Sequence, residues 1–188
     1  MLATLRAPVV LLLGFTLITG FAYPLAVTGF AWVMVHDAAL GSLVVMDGRV
    51  VGSSLVGQNF TTDRYFHPRP SATDPAYNAA ASSGSNLGPI TLKLIERVEA
   101  SVASLRTQGI AGPIPVDAVT ASASGLDPDI SPETARLQVA RVARARKLDE
   151  AAVLDLVDRQ TESRALGFLG EPRVNVLKLN IALDGLRQ

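Results

Sequence analysis

The hydrophobic residues of this chain concentrate near its N-terminus. Between Ala7 and Val35 there are 29 residues without a single Lys, Arg, Asp or Glu. About 20 helical residues suffice to cross the hydrocarbon core of a bilayer, because each residue advances a helix by about 1.5 Å. The pattern therefore predicts a transmembrane helix over residues 7–36, preceded by a short N-terminal segment, residues 1–6.

The same apolar run also begins like a secretory signal peptide, with small residues before a cleavage-like position at Ala22. Pro24 lies just past that position and disfavours cleavage, and the apolar run continues well beyond it. We therefore expect an uncleaved anchor. Pro24 also removes a backbone hydrogen bond and predicts a kink. The small residues Gly20 and Ala26 beside it are candidate contacts for another membrane helix.

Charges at the two ends of the apolar run predict its orientation. Arg6 and the terminal amine flank one end, whereas Asp37 follows the other end and Arg49 is the first cation beyond it. Basic residues favour the cytoplasmic side of a membrane helix. We therefore expect residues 1–6 in the cytoplasm and residues 37–188 outside it.

Beyond the apolar run, the pattern predicts short strands and amphipathic helices. Asp47-Gly48 is a turn sequence between two short apolar segments, which indicates a β-hairpin. Apolar residues at helical spacing predict three further helices. The predicted helices open at Pro89, Ser131 and Asp149. Residues 174–184 are ambiguous between strand and helix, and an N-cap at Asn175 favours helix. The expected fold class is α+β, with one N-terminal transmembrane helix followed by a mixed α/β domain.

Two long loops separate these elements, residues 61–89 and residues 112–131. Loops of this length inside a compact domain are usually functional or disordered. The aromatic residues Tyr65, Phe66 and Tyr77 indicate that the first loop is ordered. Residues 61–89 are therefore a candidate surface for contact with a partner, and the alternative is that this loop braces the core of its own domain.

Composition and charge exclude several classes of function. From Asp37 onward the chain has 16 basic and 17 acidic residues, a net charge of −1, which argues against nucleic-acid binding. Cysteine is absent, so disulfides, Cys-ligated metals and thiol nucleophiles are excluded. Histidine occurs only twice. The arginines of the helix predicted after Ser131 are interpreted as a solvated face, and the alternative is a contact with acidic partners. They are Arg136, Arg141, Arg144 and Arg146.

Candidate chemistry in the remaining sequence is sparse. A serine hydrolase would have to combine Ser124 with His67 and an aspartate, and a membrane-anchored ligand-binding protein is a second alternative. Asp127 and Asp129 could form a calcium-binding pair, but the prolines around them favour a rigid turn before a helix. The chain has neither a Walker A loop nor a GxGxxG motif. The residues alone therefore indicate no catalytic constellation.

Several long motifs occur in an order that is typical of one family. They are VGSSLVGQNF, YFHPRPSA, SGSNLGP, PVDAVTASASGLDPDISP and GEPRVNVLKLNIALD. In these motifs, and in the single apolar helix before them, the chain closely resembles the C subunit of the bacterial Kdp potassium-transporting ATPase. The resemblance covers nearly the whole chain.

The resemblance implies a non-catalytic accessory subunit of a P-type ATPase complex in the cell inner membrane, with the main domain in the periplasm. The implied partners are a channel-like potassium-binding subunit, a P-type ATPase subunit that hydrolyses ATP, and a small single-helix subunit. The family is also described as raising the affinity of the ATPase subunit for ATP, as a catalytic chaperone. Because P-type nucleotide domains are cytoplasmic, the predicted orientation favours a role in assembly and stabilisation over direct ATP binding.

The candidate site residues fall into two groups. Gln58 in the motif GSSLVGQ is the family-implied candidate for a nucleotide contact, with ATP as the only cofactor implied and no metal expected. The candidate partner-contact residues lie in the membrane helix and in the two loops. They are Gly20, Pro24, Ala26, Arg69, Ser71, Asn86, Ser124 and Asp127.

Overall fold

A computed structural model describes residues 2–186 of the chain, and these residues divide into two compact units between Leu43 and Val44. The first unit is helical throughout most of its length. Its elements are α1 (Leu2–Leu17), a π-helical turn (Ile18–Ala22), α2 (Tyr23–Met34) and α3 (His36–Ala39). Within it, the 30 residues Leu5–Met34 are long and apolar enough to cross a membrane, and the chain buries none of them. The predicted apolar helix is thus confirmed, and helical structure begins earlier, at Leu2.

The π turn explains how the helix passes Pro24. Proline has no amide hydrogen, so the carbonyl of Gly20 loses its usual partner four residues later. The helix widens by one residue over Ile18–Ala22, and the Tyr23 N–H donates to the carbonyl of Ile18. Single π turns of this kind commonly interrupt α-helices at functional positions. A π turn therefore directly precedes the α-helix that contains Pro24, and the kink expected at Pro24 stays a prediction.

The second unit contains the remaining strands and helices, in two small sheets. The hairpin of β1 (Leu43–Met46) and β2 (Arg49–Ser53) forms the first sheet. The second sheet has the antiparallel order β3-β5-β4. Its strands are β3 (Asp129–Ile130), β4 (Thr161–Glu162) and β5 (Arg173–Asn175). The helices are α4 (Leu92–Thr107), α5 (Pro132–Arg146), α6 (Glu150–Arg159) and α7 (Val176–Asp184).

The hairpin and the C-terminal segment agree with the sequence. Asp47 and Gly48 both have positive φ, 49° and 74°, as a tight hairpin turn requires. Asn175 ends β5 and caps α7, because its side chain accepts a hydrogen bond from the Lys178 N–H at 3.1 Å. The ambiguous segment is thus a short strand followed directly by the favoured helix.

The three predicted helix starts agree with the structure to different degrees. α5 begins as expected, with the Ser131 hydroxyl accepting from the Thr134 N–H at 3.0 Å. α4 does not begin at Pro89 but at Leu92, after a turn in which the Thr91 N–H donates to the carbonyl of Gly88. Asp149 lies at the N-cap position of α6, yet its side chain makes no capping hydrogen bond.

The core of the second unit lies between α5, α6, α7 and the three-stranded sheet. Phe66, from the loop 61–89, is fully buried at its centre. This loop has no strand and only one short 3₁₀ turn, Ala79–Ala81. The other largest fully buried apolar side chains of the core are Ile130, Val142, Val153, Val157, Val174, Leu179 and Leu183. The loop is therefore part of the core, which is the bracing role that the sequence left open for it.

Candidate partner-contact site

Amide side chains hold the backbone of the first loop against two helices. The Phe66 N–H donates to Asn180 Oδ1 at 2.8 Å, and Asn180 Nδ2 donates to the Phe66 carbonyl at 3.0 Å. Gln138 makes the same pair of bonds with His67, at 2.7 and 3.0 Å. Each amide thus satisfies both polar groups of one residue, as a neighbouring strand would do.

Two arginines of α5 continue this pattern. Arg141 donates to the carbonyls of Asp63 and Tyr65, at 2.8 and 3.0 Å. The guanidinium of Arg146 donates to the carbonyl of Arg64, pairs with Asp184 and lies 4.8 Å from the ring centre of Tyr65. We call residues 63–67, with their carbonyl groups held in this way, the clamped segment.

These contacts correct the interpretation of the arginines as a solvated face. Arg146 is only 7% exposed, and Arg141 is half-buried beneath the clamped segment. Arg136 and Arg144 are exposed as predicted, and Arg136 pairs with Asp158 across the surface. The helical pattern does not distinguish the two buried arginines from the two exposed ones, because both kinds alternate with the same apolar residues.

Further along, two predicted contact residues of the first loop and two of the second loop lie where the loops meet. Arg69 Nη1 lies 2.8 Å from Asp127 Oδ2, with both side chains about three-quarters buried. The Ser71 hydroxyl donates to the carbonyl of Gly125 at 2.7 Å. The carbonyl of Ser124 accepts from the Ser83 N–H at 3.0 Å. We call this region, built on Arg69, Ser71, Ser124 and Asp127, the loop junction.

Tyr77 and Gly57 complete the loop junction. The Tyr77 hydroxyl donates to the carbonyl of Arg69 at 2.7 Å, and burial followed by the nearby Asp127 carboxylate raises the pKa of the phenol. The Gly57 N–H donates to the carbonyl of Leu126 at 2.8 Å. A Cβ at Gly57 would lie 2.4 Å from the Tyr77 ring, so only glycine fits.

The other predicted site residues do not join the loop junction. Gln58 Nε2 donates to the carbonyl of Val51 at 2.8 Å and so ties the hairpin to the segment that follows it. Asn86 is exposed, with a positive φ of 49°. Gly20, Pro24 and Ala26 lie in the first unit, where all three are exposed.

An open cleft of about 540 Å³ lies beside the loop junction, lined by charged residues of both signs. Asp127 pairs with Arg69, and Asp129 lies 3.3 Å from Arg173. Asp117 accepts hydrogen bonds from Ser131 and thereby supports the start of α5. Burial raises the pKa of Asp129, and a hydrogen bond from Asn175 opposes that rise. Within residues 2–186, no group of three or more His, Asp or Glu side chains is arranged to hold a metal ion.

The geometry also bears on the serine hydrolase alternative. His67 Nε2 lies 3.0 Å from the carbonyl of Thr62, and burial, followed by the charge of Arg141, lowers the pKa of His67. The Ser124 hydroxyl accepts from the Leu126 N–H and lies near Ser122. Among the described residues, no hydrogen bond joins His67 to a serine, so the pair that a hydrolase needs is not formed.

The sequence pattern does not single out the residues that organise this region. Asn180 is 2% exposed within the apolar segment VLKLNIAL, and Gln138 lies in α5 beside the core positions. A buried amide that interrupts an apolar helix face is the one available signal, because buried polar groups must find hydrogen-bond partners. Nothing in the sequence identifies the partner as the backbone of a loop more than 70 residues away.

The two units together define a class of protein. An apolar helix able to span a membrane precedes an α/β domain, which is the organisation of a membrane-associated protein. The family model described as "K+-transporting ATPase, c chain" (KdpC) matches residues 5–185. The chain therefore belongs to the KdpC family.

Curated relatives match along their full length. A potassium-transporting ATPase KdpC subunit of Methylobacterium nodulans is 56% identical over 99% of this chain and 98% of its own length. One from Methylorubrum extorquens is also 56% identical over the same shares of the two chains. A KdpC subunit of Rhodopseudomonas palustris is 53% identical over the whole of both chains. The family resemblance found in the motifs is thus confirmed.

Proposed function

We propose that the chain is a non-catalytic accessory subunit of a potassium-importing P-type ATPase and is needed to assemble and stabilise the pump. Its N-terminal helix anchors it in the cell inner membrane with residues 1–6 in the cytoplasm. Residues 37–188 form the periplasmic domain. Family membership supports the place in the complex, and the basic residue at the N-terminal end of the apolar run supports the orientation.

The loop junction is the observation that carries the assembly role. Its charged and polar groups bind one another: Arg69 pairs with Asp127, and Ser71 bridges to Gly125. Groups that are paired or hydrogen-bonded to one another stabilise the shape of a surface, and they are not free to react with a substrate. A polar surface held in shape by bonds between the two loops is suited to recognising a protein partner, since pre-organised surfaces lose little entropy on binding.

The partners follow from the family. We infer that the periplasmic domain contacts the channel-like potassium-binding subunit, and that the membrane helix packs among the helices of that subunit, the P-type ATPase subunit and the small single-helix subunit. Gly20 and Ala26 would allow close approach in the membrane, since no atom lies within 4 Å of a Cβ built at Gly20.

The family-implied effect on ATP affinity is, on this proposal, indirect. The Gln58 amide, the candidate nucleotide contact, is bonded to the carbonyl of Val51 and supports the hairpin. A periplasmic domain also lies on the opposite side of the membrane from a P-type nucleotide domain. The chain would therefore raise ATP affinity by stabilising the assembled pump and not by touching the nucleotide.

Omission of the chain tests the proposal directly. The other three subunits are co-expressed with and without it, solubilised in mild detergent and purified through a tag on the channel-like subunit. We expect the pump subunit to be recovered in full only when the chain is present, and potassium-limited growth to follow the same pattern. Equal recovery of an active complex in its absence would contradict the proposal.

A further inference from the structure

The hairpin that follows the membrane helix in sequence displays large apolar side chains to solvent. Val45 in β1 and Val50 in β2 are 57% and 59% exposed, and Leu55, just after β2, is 60% exposed. We call residues 43–55, which carry them, the apolar hairpin. An exposed apolar patch on a small domain usually marks a binding site.

The apolar hairpin is exposed on both of its faces. Neighbouring side chains in a strand point to opposite faces. Val45 and Met46 are neighbours and both are exposed, and the same holds for Val50 and Val51. An antiparallel hairpin in water normally keeps one face polar. An apolar medium that surrounds both faces therefore suits this hairpin better than a protein surface that covers one face.

A short connection ties the apolar hairpin to the membrane helix. Eight residues, 35–42, separate the end of the span at Met34 from β1. Even if they were fully extended they would reach only about 30 Å, and the helical turn α3 within them shortens this reach. Trp32 lies at this end of the span, with its ring edge-on to His36 and 4.5 Å between the ring centres. Tryptophan at the end of a span is typical of the headgroup level, so the hairpin begins within reach of that level.

We propose that the apolar hairpin lies in the headgroup layer of the bilayer, with its valines and leucine in contact with phospholipid. This inference rests on the proposed function, which supplies the membrane anchor. The sheet that the hairpin forms has two strands within the described part of the chain, so its outer edges present backbone polar groups. Such edges do not enter the hydrocarbon core, where water is absent, but the hydrated headgroup layer can accommodate them.

Charge does not direct the apolar hairpin to acidic lipids. Asp47 and Arg49 are the two charged residues between positions 43 and 55, and their charges are opposite. Binding at the interface then comes from buried apolar area and not from attraction to anionic headgroups. We expect the same contact in vesicles of neutral phosphatidylcholine and of acidic phosphatidylglycerol.

Fluorescence quenching tests where the apolar hairpin lies. The chain has no cysteine, so Val45→Cys provides a single position for an environment-sensitive fluorophore. The labelled full chain is reconstituted with the other three subunits in phosphatidylcholine vesicles, with iodide added on both sides of the bilayer. We expect lipid that is spin-labelled at the headgroup to quench most of the fluorescence, and iodide to quench much less of it.

Leu154→Cys is the matched control, because Leu154 is also an exposed apolar residue but lies beside Asp155 in α6. A label at position 154 should respond in the opposite way, with strong quenching by iodide. Equal quenching by lipid at positions 45 and 154 would contradict a specific role of the hairpin.

The outcomes at position 45 separate lipid from water and from protein. Strong quenching by iodide would show that water surrounds the hairpin, and quenching by neither agent would show that a protein covers it. Either result would overturn the proposal.

A label introduced by Val27→Cys, within the span, tests the anchor separately. If iodide reaches position 45 but not position 27, the inference about the hairpin is wrong and the proposed function stands. If iodide quenches both labels, the apolar run does not enter the membrane, and both proposals are wrong.

Two conservative substitutions test whether the valines hold the hairpin in the headgroup layer. Val45→Thr with Val50→Thr keeps branched side chains that suit a strand, so the melting temperature should stay close to that of the wild type. The pair removes apolar contact with lipid, so a label introduced by Leu55→Cys should lose lipid quenching and gain iodide quenching. Val116→Thr changes an exposed valine outside the hairpin and should alter neither. Unchanged quenching at position 55 in the double variant would contradict the proposal.

Discussion

Two side-chain amides in this domain make the backbone hydrogen bonds that a neighbouring strand would otherwise make. Asn180 from α7 and Gln138 from α5 each bond both backbone groups of one residue, Phe66 and His67 respectively. A loop without sheet pairing can enter a core only if its backbone polar groups are satisfied in some other way. The amides therefore make burial of Phe66 possible.

This arrangement predicts a large effect of one small substitution. Asn180→Ala leaves the N–H and the carbonyl of Phe66 buried without partners, so we expect the free energy of unfolding to fall by about 2–4 kcal/mol. The measurement is chemical denaturation of the full chain in detergent. Asn59→Ala, at an exposed asparagine, is the control and should stay within about 0.5 kcal/mol of the wild type. An equally small change at position 180 would mean that the amide clamp contributes nothing.

For individual residues, the sequence predicts only part of the candidate site. It identified Arg69, Ser71, Ser124 and Asp127 as contact residues through the family motifs, and the structure brings them into one junction, although their contact with a partner stays a prediction. It did not identify Arg141 and Arg146 as supports of the clamped segment. Their role depends on which face of α5 the first loop crosses, and that is a long-range property that local periodicity does not contain.

Among the elements, turn and cap chemistry decided which predictions succeeded. The hairpin turn at Asp47-Gly48 and the caps Ser131 and Asn175 each rest on a local backbone requirement, and the structure confirms all three. The predicted start of α4 at Pro89 is too early. A proline suits the first turn of a helix, but it also suits the turn before the helix. Local rules thus fixed the kind of element more reliably than its first residue.

The membrane helix carries a prediction of its own. Gly20 and Ala26 are exposed, and a Cβ at Gly20 would meet no atom within 4 Å, so Gly20→Leu with Ala26→Leu should leave insertion of the chain unchanged. Because lipid tails are as apolar as leucine, only a specific small-residue surface draws helices together. We therefore expect the double variant to be recovered with the other subunits at a clearly reduced yield.

The control for this experiment is Gly14→Leu, which enlarges another open glycine of the same helix. It should assemble like the wild type at matched expression. If the double variant also assembles like the wild type, the helix serves only as a tether and the contacts lie entirely outside the membrane.

For the whole molecule, the testable property is its orientation across the membrane. Arg6 precedes the apolar run and Asp37 follows it, so the C-terminal domain should face outward. A reporter that is active only in the periplasm should work when fused after Gln188 and fail when fused at Met1. The reverse pattern would contradict the orientation and would make a direct contact with the nucleotide domain feasible.

The mass of the chain on a denaturing gel distinguishes an anchor from a signal peptide. The untagged chain should migrate as an uncut product of about 19.8 kDa, the mass of all 188 residues. A product that begins at Tyr23 would show that the apolar run is removed.

The clamped segment also has a consequence for biosynthesis. Phe66 and Asn180 are separated by 114 positions, and Tyr65 and Asp184 by 119, so these bonds cannot form until almost the entire chain has left the ribosome. Contacts between such distant positions form late, because the loop that they close is entropically costly. Until α7 has been made, only the bonds from α5 hold the clamped segment, so nascent and truncated chains expose it to proteases and chaperones more than the full chain does. We therefore expect a chain that ends before α7 to be cleaved by proteases near Phe66 faster than the full chain, because it lacks the bonds that Asn180 makes.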